Sequence, residues 1–313
     1  MILCLGTTPA VQRVMVFCNL ALDGVNRADA TLEGAAGKSI NVAKVLQALG
    51  EHPVATGFLG GDRGAYLSAV LTEKGVEQDF VQVAACTREC ITVIDESVGT
   101  HTELVEESRP VEREDYEKLF AIVRRRLLGC SAIVMSGSIS PGGPSDLYFQ
   151  CSRMAREAGV LPVVDAQGVA LTEALEARPA LVKPNRMELG ATVGRKLEDE
   201  TAVKEAMREI CGRGAQRVVV TAGSRPTLAF DGNSFWKIVS PQVEVANPIG
   251  SGDAFTAALV WRLLRGEDLG EACRWGSASG AANALTLLPG EVKKEDVDRL
   301  AREVRVERLA GAD

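Results

Sequence analysis

Short apolar runs that could each fill a buried strand recur along the chain at residues 2–5, 53–58, 131–135, 161–164, 180–182 and 217–221. Between them lie amphipathic stretches at 40–49, 65–74, 113–128, 146–157 and 201–213. The runs predict strands buried on both faces, and the amphipathic stretches predict helices that cover them. Their alternation predicts an α/β fold with a mostly parallel sheet between two helical layers. Two stretches, 11–32 and 88–104, instead alternate apolar and polar residues over short spans, with turn residues at Asp23-Gly24 and Val98-Gly99-Thr100. Alternation predicts a sheet with one wet face. Together they are expected to form a small β-sheet projecting as a flap over a crevice at the strand C-termini. Without repeats, low-complexity tracts or linkers, residues 1–313 read as one domain with lid insertions at about 11–33 and 87–106.

Composition narrows the function classes. Hydrophobic residues make up 46% and charged residues 25%, ordinary values for a globular chain. Apolar runs such as 257–261 fall short of the roughly 18 residues that cross a bilayer, so no membrane association is expected. Residues 1–6 are apolar but lack a basic flank and a cleavage pattern, which predicts a first buried strand and not a leader. The net charge of −7 repels phosphate backbones, so nucleic acid is not an expected partner. Eight scattered cysteines with no CxxC pair predict reduced thiols and a cytoplasmic setting. With His52 and His101 the only histidines, acid–base chemistry falls to carboxylates, lysines or hydroxyls.

The most informative segment is Asn247-Pro-Ile-Gly-Ser-Gly-Asp-Ala-Phe255, after a strand-like run at 242–245 and before an apolar helix reaching residue 264. Gly250 and Gly252 let the backbone turn tightly and present N–H groups at the helix start, where the macrodipole favours an anion. Asp253, in the first helical turn, is expected to be ionised beside that anion hole. Donors for a moving phosphoryl group beside a carboxylate for a hydroxyl proton are what phosphoryl transfer requires. Ordinary helix capping uses the same residue types, so the segment acquires meaning only in company. Gly34-Ala-Ala-Gly-Lys-Ser39 supplies some. It fails as a P-loop because Leu32 stands where a glycine is needed and flap-like sequence precedes it. It reads instead as a second glycine-rich turn bringing Lys38 to a polyhydroxy or phosphorylated ligand.

A series of motifs follows in order: AGKSIN at 36–41, TREC at 87–90, HTELVE at 101–106, SGSISPG at 136–142, VDAQG at 164–168, KPNRMEL at 183–189, VTAG at 220–223 and NPIGSGDAF at 247–255. Through them the chain resembles the ribokinase-like (PfkB) carbohydrate kinases along almost its whole length, most of all the branch of 1-phosphofructokinase and tagatose-6-phosphate kinase. The resemblance implies a three-layer α/β/α core with a small β-sheet lid, ATP and Mg²⁺ as cofactors, a sugar or sugar phosphate as the small-molecule partner, and a homodimer through the lid. It implies Asp253 as catalytic base, with Gly250, Ser251 and Gly252 as anion hole. Asn185 and Glu188 would handle Mg²⁺ and the ATP phosphates through water, since magnesium keeps most of its hydration shell. Lys183 would lie near phosphate, Thr221 and Gly223 would touch the nucleotide, and Asn283 would line the adenine pocket. Gly37, Lys38, Asn41, Arg88, Glu103 and Ser138 would meet the acceptor; a guanidinium such as Arg88 suits a phosphate already on the sugar.

Three departures fall on the acceptor side. Gln12 stands where the family usually has an Asp, Ser39 where it has a glycine that allows close approach, and Cys90 where an Asn is common. The nucleotide side is intact. The expected activity is ATP-dependent phosphorylation of a ketohexose phosphate; an unphosphorylated sugar or nucleoside as acceptor, and a sugar-sensing protein without turnover, remain as alternatives.

Overall fold

The computed structural model describes residues 1–309. In chain order the elements are β1 (Ile2–Gly6), β2 (Ala10–Phe17), β3 (Ala30–Ala36), α1 (Lys38–Ala48), β4 (Pro53–Leu59), α2 (Gly61–Glu73), β5 (Glu77–Gln78), β6 (Val81–Gln82), β7 (Arg88–Asp95), β8 (Thr100–Val105), α3 (Arg113–Leu127), β9 (Ala132–Ser136), α4 (Leu147–Glu157), β10 (Leu161–Asp165), α5 (Gly168–Glu176), β11 (Leu181–Val182), α6 (Arg186–Val193), α7 (Glu200–Gly212), β12 (Val218–Ala222), β13 (Arg225–Phe230), β14 (Phe235–Val239), α8 (Ser251–Leu263), α9 (Leu269–Ala284), α10 (Lys294–Ala301) and β15 (Arg305–Leu309).

The main sheet runs β15-β14-β13-β12-β11-β10-β9-β1-β4-β5, with β6 also on β4. It is parallel from β12 to β5 and antiparallel from β12 to β15. Successive side chains of a strand point to opposite faces, and the central strand β1 shows the consequence. Ile2 and Cys4 join a core with Ile40 and Leu46 of α1, Leu259 of α8 and Ala272 of α9. Leu3 and Leu5 join the opposite core with Leu119 of α3, Leu147 of α4 and Met207 of α7. The sheet is therefore sandwiched between two helical layers.

A separate four-stranded sheet, β3-β2-β7-β8, is built from the two alternating stretches. Its β2–β7 pair is parallel and places Ala10 opposite Arg88 and Gln12 opposite Cys90. Val14, Val16 and Ile94 form its buried side, against Leu287 and Leu288.

Two sequence readings need correction. Residues 242–245 form no strand. Pro241 follows the end of β14, Pro248 lies just beyond, and the segment instead borders a cavity described below. The antiparallel extension of the main sheet through β13, β14 and β15 is also absent from the sequence reading. Its hairpin is closed by Asp231, whose Oδ1 accepts the N–H of Asn233 and of Ser234, and by Phe230 stacked on Phe235 at 4.1 Å between ring centroids.

Candidate active site

The C-terminal ends of β9 and β10 meet the N-terminal ends of α1, α6 and α8 on one side of the main sheet. At the start of α8, Gly250 adopts a left-handed conformation (φ 84°) as N-cap. A Cβ there would lie 2.7 Å from Cβ of Pro289, so both backbone and space require glycine. Asn247 shapes the approach: its Oδ1 accepts the Ile249 N–H and its Nδ2 donates to Leu287 O. The Ser251 N–H donates to Pro248 O at 3.2 Å and the Asp253 N–H to Gly250 O at 3.0 Å. Ser251 is thus not a free amide, contrary to the sequence expectation. Those of Gly250 and Gly252 have no acceptor among the described residues and are the donors left for an anion.

Asp253 is 6% exposed. The Nδ2 of Asn41, from α1, donates to its Oδ2 at 2.8 Å, while the Asn41 Oδ1 is buried without a partner. Burial pushes the Asp253 carboxyl up to about 6, and the charge of Asp165 adds to this; Lys38, Asn41 and Lys183 oppose it. Desolvation thus works against the pull of the helix start toward the charged form, yet a carboxyl titrating near 6 is still mostly ionised at neutral pH. A carboxylate poised near 6 can take a proton at neutral pH and release it readily.

Asp165, at the end of β10, organises the lysines. It is 1% exposed; its Oδ2 lies 3.1 Å from Lys183 Nζ and accepts from Thr256 Oγ1 at 2.9 Å, and its Oδ1 lies 3.4 Å from Lys38 Nζ. Burial alone would raise this carboxyl, but the two ammonium groups more than offset it and hold it below the ordinary range. Asp165, followed by Asp253 and Glu188, holds the Lys38 ammonium charged well above its usual range against the cost of burial. Lys38 also approaches Glu188 Oε1 at 3.7 Å. It opens α1 after Gly37, whose φ of 109° and 2.9 Å approach of a hypothetical Cβ to Pro9 Cα admit only glycine.

Glu188 and Asn185 form a capping box on α6: Asn185 Oδ1 accepts the Glu188 N–H at 2.9 Å, and Glu188 Oε2 accepts the Asn185 N–H at 2.7 Å. The Asn185 oxygen thereby caps the helix through one of its two lone pairs and leaves the other for a further donor or a metal-held water. Glu188 keeps Oε1 facing Lys38. Asn283 is displaced from its expected place. It is fully buried, its Nδ2 donating to Ile249 O at 2.9 Å and its Oδ1 accepting the Gly290 N–H at 2.7 Å. It braces the 247–250 turn from behind.

Beside that turn lies a cavity of 390 Å³ bordered by Thr221, Gly223, Val243, Gly252, Phe255 and Ala281. A larger, more open cleft of 1020 Å³ continues past Thr221 and Gly223 along α6, reaching Asn185 but neither Lys38, Asn41 nor Asp253. Volume alone would misplace the chemistry.

On the acceptor side, Arg88 donates to Thr8 O and Glu106 O, and its Nε is buried without a partner. Gln12 is 3% exposed, and its Nε2 donates to Thr92 Oγ1 at 2.8 Å. Glu103 lies opposite Thr92 on β8; burial raises its carboxyl while Arg88 opposes the shift. Ser138 is exposed on the turn after β9, next to Gly137, where a Cβ would lie 3.7 Å from Lys38 Cβ. Ser39 does not intrude on the crevice. It is 3% exposed, and a Cβ on Gly6 would fall 2.3 Å from its Oγ; the missing side chain of Gly6 makes the room for it.

Residues 2–293 match the family described as pfkB family carbohydrate kinase. The chain belongs to that family. Tagatose-6-phosphate kinase of Staphylococcus epidermidis is 30% identical over 309 residues, covering 98% of this chain and 99% of that protein. Among solved structures, a protein of Thermotoga maritima described as a possible 1-phosphofructokinase superposes with a TM-score of 0.91 at 26% identity, covering 99% of both chains. Phosphofructokinase-2 from Escherichia coli in complex with substrates and products gives a TM-score of 0.87 at 28% identity, covering 96% of this chain and 98% of that one. For a pfkB family carbohydrate kinase, the residues that sequence reasoning left without a role are Asp165, Thr256 and Thr92. Asp165 carried a usable signal: an acidic residue closing an apolar strand run, at the edge where open α/β sheets bind ligands.

Proposed function

We propose that the chain transfers the terminal phosphoryl group of ATP to a hydroxyl of a phosphorylated ketohexose. The observation that carries this reading is the buried Asp253 carboxyl, held by Asn41 and placed one residue beyond the unpaired Gly252 amide. The acceptor hydroxyl loses its proton to Asp253 as its oxygen bonds to phosphorus and the bond from phosphorus to the ADP oxygen breaks. The amides of Gly250 and Gly252 meet the charge on the moving group. Lys183 adds positive charge nearby: a Cβ on Gly252 would be 3.8 Å from its Nζ. The 390 Å³ cavity between Gly223 and Ala281 suits the base of the nucleotide.

Magnesium held by the nucleotide phosphates would neutralise their charge. Among the described residues no three His, Cys, Asp or Glu side chains cluster as a metal cage, which suits an ion that keeps several waters. Glu188 is the carboxylate placed to receive such a water, its Oε2 engaged in the helix cap and its Oε1 turned to the crevice 3.7 Å from Lys38 Nζ.

For the acceptor, Arg88 with its unpartnered Nε and the charged Lys38 favour a substrate that already carries phosphate. The names of the relatives agree, tagatose-6-phosphate kinase and phosphofructokinase among them. The four-stranded sheet acts as a lid, and His101 of β8 joins it to the main body through Ala246 O at 2.9 Å. Exposed Leu22, Val25, Leu104 and Val105 on that sheet or its loop favour a second copy of the chain as partner, which light scattering of the purified protein checks. No helix among the described residues is long and apolar enough to cross a membrane, and the cysteines are free, in keeping with a reducing, cytoplasmic setting.

The test is a panel of ketohexose phosphates and their unphosphorylated parents, scored by acceptor-dependent ADP release with MgATP. Turnover of a phosphorylated member well above its parent supports the reading. Preference for the parents moves the acceptor to the unphosphorylated class, and tight sugar binding with no ADP release across the panel refutes phosphoryl transfer.

A further inference from the structure

Lys44 has no part in the chemistry above. It lies three residues after Asn41 on α1 and is 4% exposed. Its Nζ donates to Pro289 O at 2.6 Å and to Ala35 O at 2.7 Å, and Glu291 Oε1 lies 3.4 Å away. Three acceptors from two separate segments thus use all three ammonium protons. Burying an ammonium costs several kcal/mol even when it is fully paired, and an apolar side chain of similar volume is often as stable or better. Burial does draw this group down to about 8, with Lys74 at the end of α2 adding to the fall and Glu291 and Asp253 opposing it. A charge kept at that cost calls for a purpose beyond filling space.

Its neighbours supply one. Pro289, whose carbonyl Lys44 holds, packs against Gly250, where a Cβ would meet Pro289 Cβ at 2.7 Å. A Cβ on the next residue, Gly290, would lie 2.8 Å from Lys44 Cε and 2.9 Å from Asn41 Cα. The Gly290 N–H donates to Asn283, which in turn donates to Ile249 O. Residues 289–290 are therefore wedged between α1, which carries Asn41, and the turn that carries the free amides. Through Ala35, the same ammonium fixes the strand leading to Gly37 and Lys38.

We propose that Lys44 is a positioning residue for phosphoryl transfer, locking the 289–291 segment to α1 so that the Gly250 and Gly252 amides keep their place relative to Asn41 and Asp253. This rests on the phosphoryl-transfer reading of that turn. Displacing a catalytic group by about 1 Å can cost about 10²-fold, and the misplaced groups here act on the transferred phosphoryl more than on ground-state binding.

Lys44→Met and Lys44→Ala test the proposal with MgATP and whichever acceptor the wild-type protein turns over, each variant's fold being followed by thermal melting. Lys44→Met is expected to lose about 10²-fold in kcat while KM for nucleotide and acceptor stays within about threefold. Lys44→Ala is expected to regain kcat with added n-propylammonium, which restores the missing chain and charge, and not with n-propanol. The amine experiment decides the matter if Lys44→Met fails to fold. Wild-type kcat in Lys44→Met, a loss confined to KM, or no recovery of Lys44→Ala with the amine overturns the positioning role. A wild-type protein without acceptor-dependent ADP release overturns the phosphoryl-transfer reading instead.

Discussion

Removing the Asn41 amide should make Asp253 harder to ionise, and the size of the effect follows from the contact. Asn41 Nδ2 donates to Asp253 Oδ2 at 2.8 Å, with both residues nearly buried. A hydrogen bond to a charged acceptor contributes about 1.5–3 kcal/mol, and one pKa unit corresponds to about 1.4 kcal/mol. Water admitted by Asn41→Ala recovers part of the loss, so the expected rise is about one unit, from about 6 to about 7. A general base works only when ionised, so activity is lost as pH falls through this value, and the variant loses it at higher pH. At pH 6 the ionised fraction drops from about one half to about one tenth, and kcat relative to each protein's own alkaline plateau drops about fivefold further in the variant. The assay is ADP release from pH 5 to 9 with nucleotide and acceptor saturating, which removes the direct effect of Asn41 on acceptor affinity. Titration of an acceptor phosphate is common to both proteins and cancels in the comparison. An acid limb that stays in place, or shifts toward lower pH in Asn41→Ala, would refute the assignment of that limb to Asp253.

Asp253→Asn should lower kcat by at least about 10²-fold with nucleotide affinity little changed, by rate assay and calorimetry. The same variant should be more stable. The carboxyl titrates near 6 when folded against 3.8 when free, so the native state binds the proton more tightly and wild-type stability falls as pH rises between those values. Above pH 7 the substitution should return about 1–3 kcal/mol in denaturant melts, and the gain should vanish below about pH 4. Arg88→Ala should raise KM about tenfold or more for a phosphorylated acceptor and leave its unphosphorylated parent nearly unaffected; equal effects would mean that Arg88 does not read phosphate. Gly6→Ala should cost about 1–3 kcal/mol by overpacking against Ser39, and Gly6→Ala with Ser39→Gly should recover most of it in thermal melts.

The parallel half of the fold was legible because its strands are short apolar runs buried on both faces, as in β1 and β4, where every residue is buried. The antiparallel extension was harder to read: β15 reads RVERL and is mostly exposed, so it has neither the apolar run nor the strong alternation that marks a strand. Residues 242–245 failed in the opposite direction, being strand-like in composition but without a neighbouring strand to pair with. At the site, motif spacing exposed Asp253 and Lys38, since glycines and charged residues at helix starts leave a local mark. The functions of Asn185 and Asn283 depended on which backbone groups their amides would find, and those partners lie in the folded arrangement, as with Asn283 and Ile249 O. Whether Ser39 would block the crevice was likewise settled by a residue more than thirty positions away, Gly6.

The charged cluster draws Lys38, Asp165, Lys183, Glu188 and Asp253 from segments spread over most of the chain, with the last of them entering through α8. During synthesis the strand ends around Asp165 can thus form well before the cluster is complete, because Asp253 arrives only after some four-fifths of the polypeptide has emerged. Lys38 and Lys183 are meanwhile balanced by Asp165 and Glu188, so an incomplete chain presents no strongly basic groove that would trap nucleotides.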